Sequence, residues 1–203
     1  MRMLTTLSSC LLTTLVLPAA AAVFVPLDSQ ATYLRANESP APPAALALSL
    51  ADLGAAPGDR LQLEVVGDID NGPGGDTFTF TLGLFSSSNT LLGTSLLARV
   101  PGALASDGPP VVTASTYWGN LATDIAQDFG FDSPLGAIVT VPVGAAYLFL
   151  AKHDELYMDN SDPDHDYGVR ITLLPAVPEP GTWAMLAAGL AWLGRRAWQR
   201  PGH

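Results

Sequence analysis

The sequence predicts an all-β protein, a β-sandwich of jelly-roll-like type, with an N-terminal helix and a short C-terminal transmembrane helix outside the sandwich. Two observations lead to this prediction. Short segments in which apolar and polar residues alternate are separated by turns rich in Gly, Pro, Asn and Ser. The 203 residues are 48% hydrophobic, which is enough for one domain with a substantial core, and they include 19 Gly and 17 Pro. We predict that the sandwich covers residues 23–175.

The N-terminal residues 1–22 are predicted to be a secretory signal peptide. A short basic start containing Arg2 precedes an apolar run at 4–17, and small residues follow up to Ala22. This order is typical of signal peptides that the Sec machinery recognises, with cleavage after Ala22. The single cysteine, Cys10, lies inside the apolar run, so the mature protein is expected to fold without disulfides.

The strands of the sandwich are predicted from period-two alternation. In the segment 60–66, apolar residues alternate with polar ones, which places one face of the strand on a core. In the segment 77–85, Phe78, Phe80 and Leu82 alternate with threonines, so these three side chains are expected to face a core as well. The other predicted strands are 31–36, 46–50, 91–97, 138–143, 146–151 and 168–174.

The connection at 101–134 is too long for a plain turn, so we expect it to pack over one sheet or to build a ligand site. Within it, only Leu121–Asp128 is predicted to be helical. Tyr117, Trp118 and Asn120 precede this segment and form a candidate sugar-binding platform, because aromatic side chains offer a large flat apolar face. The alternative is a core position for Trp118.

Charge restricts the class of partner. Between Val23 and Pro180, five basic residues stand against all nineteen acids, a balance of −14. Such a surface repels nucleic acid, so we predict no nucleic-acid partner. A hard cation or a neutral ligand such as a sugar is compatible with it.

The main functional candidate is the segment 153–167, called the acidic loop below, in which six of fifteen residues are carboxylates. Apolar, strand-like segments on both sides predict a loop anchored at each end in a sheet. Two carboxylates ~6 Å apart repel by roughly 3 kcal/mol at an effective dielectric constant of about 20, so a compact loop of this kind needs full solvation or a bound cation. Carboxylate, amide and backbone carbonyl oxygens are the ligands that Ca²⁺ prefers.

Two patterns in the acidic loop suggest ligand sets. Asp162, Asp164 and Asp166 form an Asp-x-Asp-x-Asp run like the start of an EF-hand loop, but Tyr167 replaces the required Gly and the flanking segments are strand-like, so we reject an EF-hand. The three acids remain candidate ligand-binding residues. The second pattern is Asp154 followed, after four residues, by a pair of adjacent Asx residues.

That second pattern resembles the calcium loop of small bacterial galactose-binding jelly-roll lectins, in which an Asp and an adjacent Asx pair hold an ion that also binds two sugar hydroxyls. The resemblance implies that Asp154, Asp159 and Asn160 ligate Ca²⁺, with the carbonyl of Tyr157 as a further ligand, and that extracellular polysaccharide is the partner. The alternative is a structural matrix or surface protein in which a solvated acidic loop binds nothing specific.

A second acidic segment, 68–76, carries three aspartates around Asn-Gly and Gly-Gly dipeptides. We interpret it as a solvated turn, with additional ligands for the same ion as the alternative.

The C-terminal segment, 176–203, has three features in a fixed order: a Pro-Glu-Pro tripeptide, an uncharged helix at 182–194 and a basic end. The uncharged run is shorter than the ~20 residues that span a bilayer, and extending it through Trp198 makes it long enough if the arginine side chains reach the interface. The defining residues are Pro178, Glu179, Pro180, Arg195 and Arg196.

This order resembles the PEP-CTERM sorting signal of bacteria that make extracellular polysaccharide. The resemblance implies recognition by an exosortase that cuts near the tripeptide, a membrane-bound intermediate before processing, and delivery to the cell surface or extracellular matrix.

No catalytic arrangement is evident, and we predict no enzymatic activity. The mature segment has two histidines, His153 and His165, both in the acidic loop, and it lacks a Gly-x-Ser-x-Gly nucleophile elbow. It also lacks the His and Cys ligands of a zinc site.

Overall fold

The computed structural model describes residues 22–71, 75–77, 80–113, 122–132, 135–174 and 180–198. Antiparallel sheets dominate these residues and fit the predicted β-sandwich, while the jelly-roll topology stays a prediction. The predicted N-terminal helix lies outside the described residues. In chain order the elements are β1 (Ala22–Pro26), β2 (Ala47–Ser49), β3 (Arg60–Val66), β4 (Ile69–Asn71), β5 (Asp76–Thr77), β6 (Phe80–Ser86), β7 (Ala103–Leu104), β8 (Phe129–Asp132), β9 (Ala137–Thr140), β10 (Tyr147–Lys152), β11 (Asn160–Ser161), β12 (Gly168–Leu174) and α1 (Pro180–Trp198).

The first sheet has the strand order β1-β12-β3-β9. β3 pairs with β12 along its whole length, from Val66 opposite Gly168 to Arg60 opposite Leu174. The predicted alternation in β3 is confirmed, because Leu61, Leu63 and Val65 are buried and the residues between them are at least partly exposed. Both strands have the bounds that the alternation predicts, since a strand with one buried face shows its period directly in the sequence.

The second sheet has the order β2-β10-β6, with β7 and β8 paired along the other edge of β6. Both faces of β6 are buried. Phe85 belongs to the core between the two sheets, whereas Leu82 and Leu84 belong to a second core on the outer face of this sheet.

The prediction that Phe80 faces a core is wrong, because this side chain is 38% exposed while Thr81 is fully buried. Phe80 lies at the first residue of β6, and its ring contacts His153 edge to face, with ring centroids 5.6 Å apart. Alternation identifies two faces of a strand, but it does not show where the covering layer ends.

The outer face of the second sheet is covered by chain without regular secondary structure. Tyr33 and Leu34 are completely buried there, together with Val100 and Ile125. Ile125 lies inside the long connection and Val100 directly precedes it, so the described part of the connection does pack on the second sheet. The connection also contains β7 and β8, which pair with β6 and which the sequence does not predict.

Three predicted elements in this covering layer are wrong. Neither 31–36 nor 91–97 forms a strand, and the described part of Leu121–Asp128, residues 122–128, is not helical. The segments 31–36 and 122–128 supply buried apolar residues to the layer that covers the second sheet, whereas 91–97 is mostly exposed and only Leu91 packs against that core. The buried guanidinium of Arg99 donates hydrogen bonds of 3.1 and 2.6 Å to two carbonyl oxygens of the segment 31–36, which satisfies backbone groups that a strand neighbour would otherwise pair.

The C-terminal segment forms the helix α1, as predicted. Within the described chain, however, no helix combines the length and the apolar character needed to cross a membrane. The predicted transmembrane span is therefore not confirmed.

Candidate metal-binding loop

The acidic loop connects the two sheets of the sandwich. It leaves the second sheet at Lys152, the last residue of β10, and enters the first sheet at Gly168, the first residue of β12. Between them, β11 pairs with β4, so that Asn160 lies opposite Asn71 and Ser161 lies opposite Asp70. The two acidic segments that the sequence shows separately therefore form one small sheet, β11-β4-β5.

The inner half of the loop, residues 153–160, is built around the Lys152 side chain, which is 5% exposed. Its Nζ lies 2.8 Å from Asp154 Oδ2 and donates a 3.1 Å hydrogen bond to Asn160 Oδ1. Asn160 is itself buried, and its Nδ2 donates to the carbonyl oxygen of Ser29. The chain thus places its own ammonium group between two of the four predicted calcium ligands.

The other two predicted ligands have different surroundings. The carbonyl oxygen of Tyr157 accepts a 3.2 Å hydrogen bond from the Asn160 N–H. Asp159 lines an open pocket of about 360 Å³ with Asn37, Glu38, Ser39, Leu156 and Met158, and neither Asp154 nor Asn160 lines it.

The structure therefore gives no support to the predicted ligand set of Asp154, Tyr157, Asp159 and Asn160, which stays a prediction. A divalent ion between Asp154 and Asn160 would have to displace a buried ammonium that already neutralises the carboxylate, and two cations in the same place repel strongly in a site of low dielectric.

The Glu38 carboxylate binds the backbone at the tip of the inner half of the loop. No pattern in the sequence predicts this role. The two oxygens of Glu38 accept hydrogen bonds of 3.0 Å from the Tyr157 N–H and 2.8 Å from the Met158 N–H. The Tyr157 side chain is fully buried, and its hydroxyl donates to the carbonyl oxygen of Lys152 over 3.3 Å. Burial raises the pKa of Tyr157 well above its usual range, so the group stays a neutral donor.

The outer half of the loop brings Asp162, Asp164 and Asp166 together, and they are called the aspartate triplet below. One carboxylate oxygen from each lies within 4.8 Å of the other two. His165 has a φ of 60°, a left-handed conformation that turns the chain between two of these acids. Gly67, with a φ of 72°, lies against Asp166, and a Cβ at this glycine would collide with the Asp166 carboxylate and backbone.

Hydrogen bonds hold two members of the triplet in place. Asp162 Oδ2 accepts from the Tyr167 N–H over 3.3 Å, and Asp166 Oδ1 accepts from the Asp68 N–H over 3.2 Å. The second oxygen of Asp162 is buried and has no hydrogen-bond partner among the described residues. The two ion pairs found in the described chain involve other acids, Asp154 and Glu64.

The dimensions of the triplet suit a calcium ion. Ca²⁺ binds oxygen at ~2.3–2.6 Å, so two ligands on opposite sides of one ion are ~4.6–5.2 Å apart. The three oxygens, within 4.8 Å of one another, are compatible with a single shared ion. The buried, unpartnered Asp162 oxygen is a group that a cation would satisfy.

Several predicted site residues lie outside the described part of the chain. Trp118 and Asn120 are among them, and so are Pro178 and Glu179. Pro180 is the first residue of α1, and Arg195 is exposed near the end of that helix. Arg196 is the next residue in the same helix.

Comparison with known proteins identifies the C-terminal segment. Residues 176–200 match the model of the PEP-CTERM protein-sorting motif. This match marks the chain as an exported, surface-sorted protein and supports its processing by an exosortase. No curated protein and no solved structure matches the chain. The resemblance of the sandwich to lectins is therefore not confirmed by any related protein.

Proposed function

We propose that this exported protein binds Ca²⁺ through the aspartate triplet at the edge of its sandwich and, through that ion, binds or organises extracellular carbohydrate. The observation that carries the proposal is the convergence of three carboxylates within 4.8 Å. The buried Asp162 oxygen without a donor supports it, because a bound cation is the partner that such an oxygen lacks.

A loop of this kind suits weak, extracellular calcium binding. Three monodentate carboxylates occupy about half of the six to eight positions around Ca²⁺, and a Kd of ~0.1–1 mM is typical of extracellular modules. At ten times the Kd, binding stabilises the folded protein by only ~1.4 kcal/mol. The ion therefore orders the loop without being required for folding.

Carbohydrate is the class of partner that we expect to fill the remaining coordination positions of the ion. Asp164 and Asp166 are exposed, so an ion held by them faces solvent and is open to further oxygen ligands. The net charge of −10 disfavours acidic partners, whereas neutral sugar hydroxyls supply hard oxygen without repulsion. This is a binding role, and no catalytic step is part of the proposal.

The sorting signal supplies the remaining elements of the proposal. Export through the Sec machinery, a membrane-bound intermediate, and cleavage by an exosortase near the Pro-Glu-Pro tripeptide would place the sandwich on the cell surface or in the extracellular matrix. The match at residues 176–200 supports this route.

Titration calorimetry with Ca²⁺ on the purified protein tests the calcium claim. The variant Asp162→Asn/Asp164→Asn/Asp166→Asn is expected to lose the weak binding event. The control Asp52→Asn neutralises an exposed acid elsewhere and should leave the event intact. Equal binding by the triple variant and the wild type would refute the proposed ligand set. A glycan array with Ca²⁺ and with EDTA then tests the carbohydrate claim, and a calcium-independent or empty array would remove it.

A second candidate is a structural surface protein whose acidic loop has no specific ligand. The buried Lys152 favours it, because this ammonium already neutralises one carboxylate of the loop without any ion. A wild-type protein that gives no calorimetric signal with Ca²⁺ would support this candidate.

A further inference from the structure

The contact between Lys152 and Asn160 places an amine beside a carboxamide in the interior of the protein. The two residues are 5% and 1% exposed. The Lys152 Nζ donates a 3.1 Å hydrogen bond to Asn160 Oδ1. Because a C=O bond is about 1.2 Å long, the carboxamide carbon Cγ lies no more than about 4.3 Å from Nζ. Reacting atoms in a near-attack geometry are ~3–3.5 Å apart, so a small rotation of the lysine side chain brings Nζ within reach of Cγ.

Asp154 supplies a base for this amine. Its Oδ2 lies 2.8 Å from the same Nζ, and its side chain is 12% exposed. An amine attacks a carbonyl carbon only after it has lost a proton, and a carboxylate at hydrogen-bonding distance accepts that proton. The other oxygen of Asp154 accepts hydrogen bonds of 2.7 and 3.4 Å from the N–H groups of Glu155 and Leu156, which hold the carboxylate in place.

The carboxamide of Asn160 is held in the orientation that the reaction needs. Its Nδ2 donates a 3.2 Å hydrogen bond to the carbonyl oxygen of Ser29, so the oxygen end is the one that faces Lys152. Both residues lie on strands, since Lys152 ends β10 and Asn160 begins β11. The fully buried Tyr157 donates to the carbonyl oxygen of Lys152 and fixes the backbone there. Nucleophile, base and carbonyl group are therefore preorganised by the fold.

We propose that Lys152 and Asn160 become joined by an isopeptide bond in the folded protein. Asp154 Oδ2 takes one proton from Nζ, and the freed electron pair of Nζ attacks Cγ. The second electron pair of the C=O bond moves onto Oδ1 and returns when the Cγ–Nδ2 bond breaks. Nδ2 takes a second proton from Nζ and leaves as ammonia. The product is a neutral amide beside a protonated Asp154, so two largely buried charges disappear and no cofactor is consumed.

The bond would tie the second sheet to the small sheet that contains β11. The freshly folded chain carries the ion pair, and the amide accumulates from it. Cys10 is the only cysteine of the 203 residues, so an internal disulfide cannot provide such a tie. This proposal goes beyond calcium binding at the aspartate triplet, and neither proposal depends on the other.

Intact mass and tryptic digestion of the purified full-length protein test the proposal. During incubation at neutral pH, the mass should fall by about 17 Da, the mass of the ammonia released. Trypsin locates the change, because Lys152 is the only lysine or arginine between Arg99 and Arg170. Once its Nζ is an amide, trypsin no longer cleaves there, and residues 100–170 should appear as one peptide.

Three variants make the test decisive. Lys152→Arg keeps a cation that is not a nucleophile, so its mass and its cleavage at position 152 should not change. Asp154→Asn keeps both reacting groups and should slow the conversion at least about tenfold, and it serves if Lys152→Arg fails to fold. Asp52→Asn neutralises an exposed acid elsewhere and should convert at the wild-type rate.

The outcomes that would overturn the proposal are equally clear. One is an incubated wild-type protein of unchanged mass that trypsin still cleaves completely after Lys152. Another is a loss of ammonia that persists in Lys152→Arg, since an Asn-Gly pair such as Asn71-Gly72 also loses ammonia by cyclising on its backbone. Conversion of Asp154→Asn at the wild-type rate would likewise contradict the proposed chemistry.

Discussion

Lys152 and Asn160 are joined by a 3.1 Å hydrogen bond from the ammonium to the side-chain oxygen, inside the end of the sandwich. The same ammonium forms a 2.8 Å ion pair with Asp154. This relationship divides the acidic loop into an inner half, where the ammonium neutralises Asp154, one of three carboxylates, and an outer half, where the aspartate triplet has no such partner in the described chain.

Replacing Lys152 should therefore destabilise the protein. In Lys152→Met, Asp154 becomes a nearly buried, unpaired carboxylate and Asn160 loses a donor, so the free energy of unfolding should fall by about 2–4 kcal/mol. Urea denaturation measures the change. In the double variant Lys152→Met/Asp154→Asn, most of the loss should be recovered because the uncompensated charge is gone. A single variant as stable as the wild type would show that the pair contributes nothing.

Gly67 should be required for both stability and calcium binding. Gly67→Ala places a Cβ against the Asp166 carboxylate at a φ of 72°, and we expect a loss of ~2–3 kcal/mol together with weaker Ca²⁺ binding. Gly54 is a matched control, since it has the same φ of 72° and no atom near its would-be Cβ. Gly54→Ala should cost only the conformational strain, about 1 kcal/mol, and leave calcium binding unchanged.

Equal effects of these two alanine variants on Ca²⁺ affinity, measured by calorimetry, would contradict the role assigned to the contact between Gly67 and Asp166.

The pH dependence of stability should report on Asp128. Its pKa is about 7 in the folded protein and 3.8 in the unfolded chain, with Asp124 and Tyr33 as the ionisable groups that act on it. Between these two values the folded state binds more protons, so without metal its stability should fall as the pH rises from about 4 to about 7. Going from about pH 8 to about pH 5 in EDTA should stabilise the wild type by roughly 2 kcal/mol relative to Asp128→Asn.

Denaturation of both proteins across this pH range in EDTA makes the measurement. A stability difference that does not change with pH would mean that Asp128 titrates normally.

The guanidinium of Arg99 should be irreplaceable in the covering layer. It donates to the carbonyl oxygens of Thr32, Leu34 and Leu92 over 3.1, 2.6 and 3.0 Å. Lysine keeps the charge but lacks the planar fork, so Arg99→Lys should lower the free energy of unfolding by about 1–3 kcal/mol. Hydrogen exchange should show faster exchange in 31–36, and unchanged exchange there would refute this role.

The sequence predicts β3 and β12 of the first sheet better than the covering layer, for a physical reason, although it does not predict β1. β3 and β12 each bury one face, and their period of two fixes their bounds. The segment 31–36 is apolar because it covers the second sheet, and burial without a period does not distinguish a strand from an irregular segment. The leucines of 91–97 suggested a strand, but Leu92, Leu96 and Leu97 are exposed. The short strands β4 and β11 have too few residues to show any period.

The position of the acidic loop could be predicted from the sequence, but the grouping of its side chains could not. Six carboxylates between two strand-like segments indicate a loop at a sheet edge. The residues next to Lys152 do not predict that its side chain points inward to neutralise Asp154, because the direction of this side chain depends on its hydrogen bond to the buried Asn160. The contact of Glu38 with the loop spans 119 positions in the chain and leaves no local pattern.

NMR mapping of the backbone amides during a Ca²⁺ titration tests the central claim most directly. The amides of Tyr167 and Asp68 donate to carboxylates of the aspartate triplet, whereas those of Glu155 and Leu156 donate to Asp154. Binding at the triplet predicts shifts of the Tyr167 and Asp68 signals, with the Glu155 and Leu156 signals unmoved. Shifts confined to Glu155 and Leu156, or none at millimolar Ca²⁺, would contradict it.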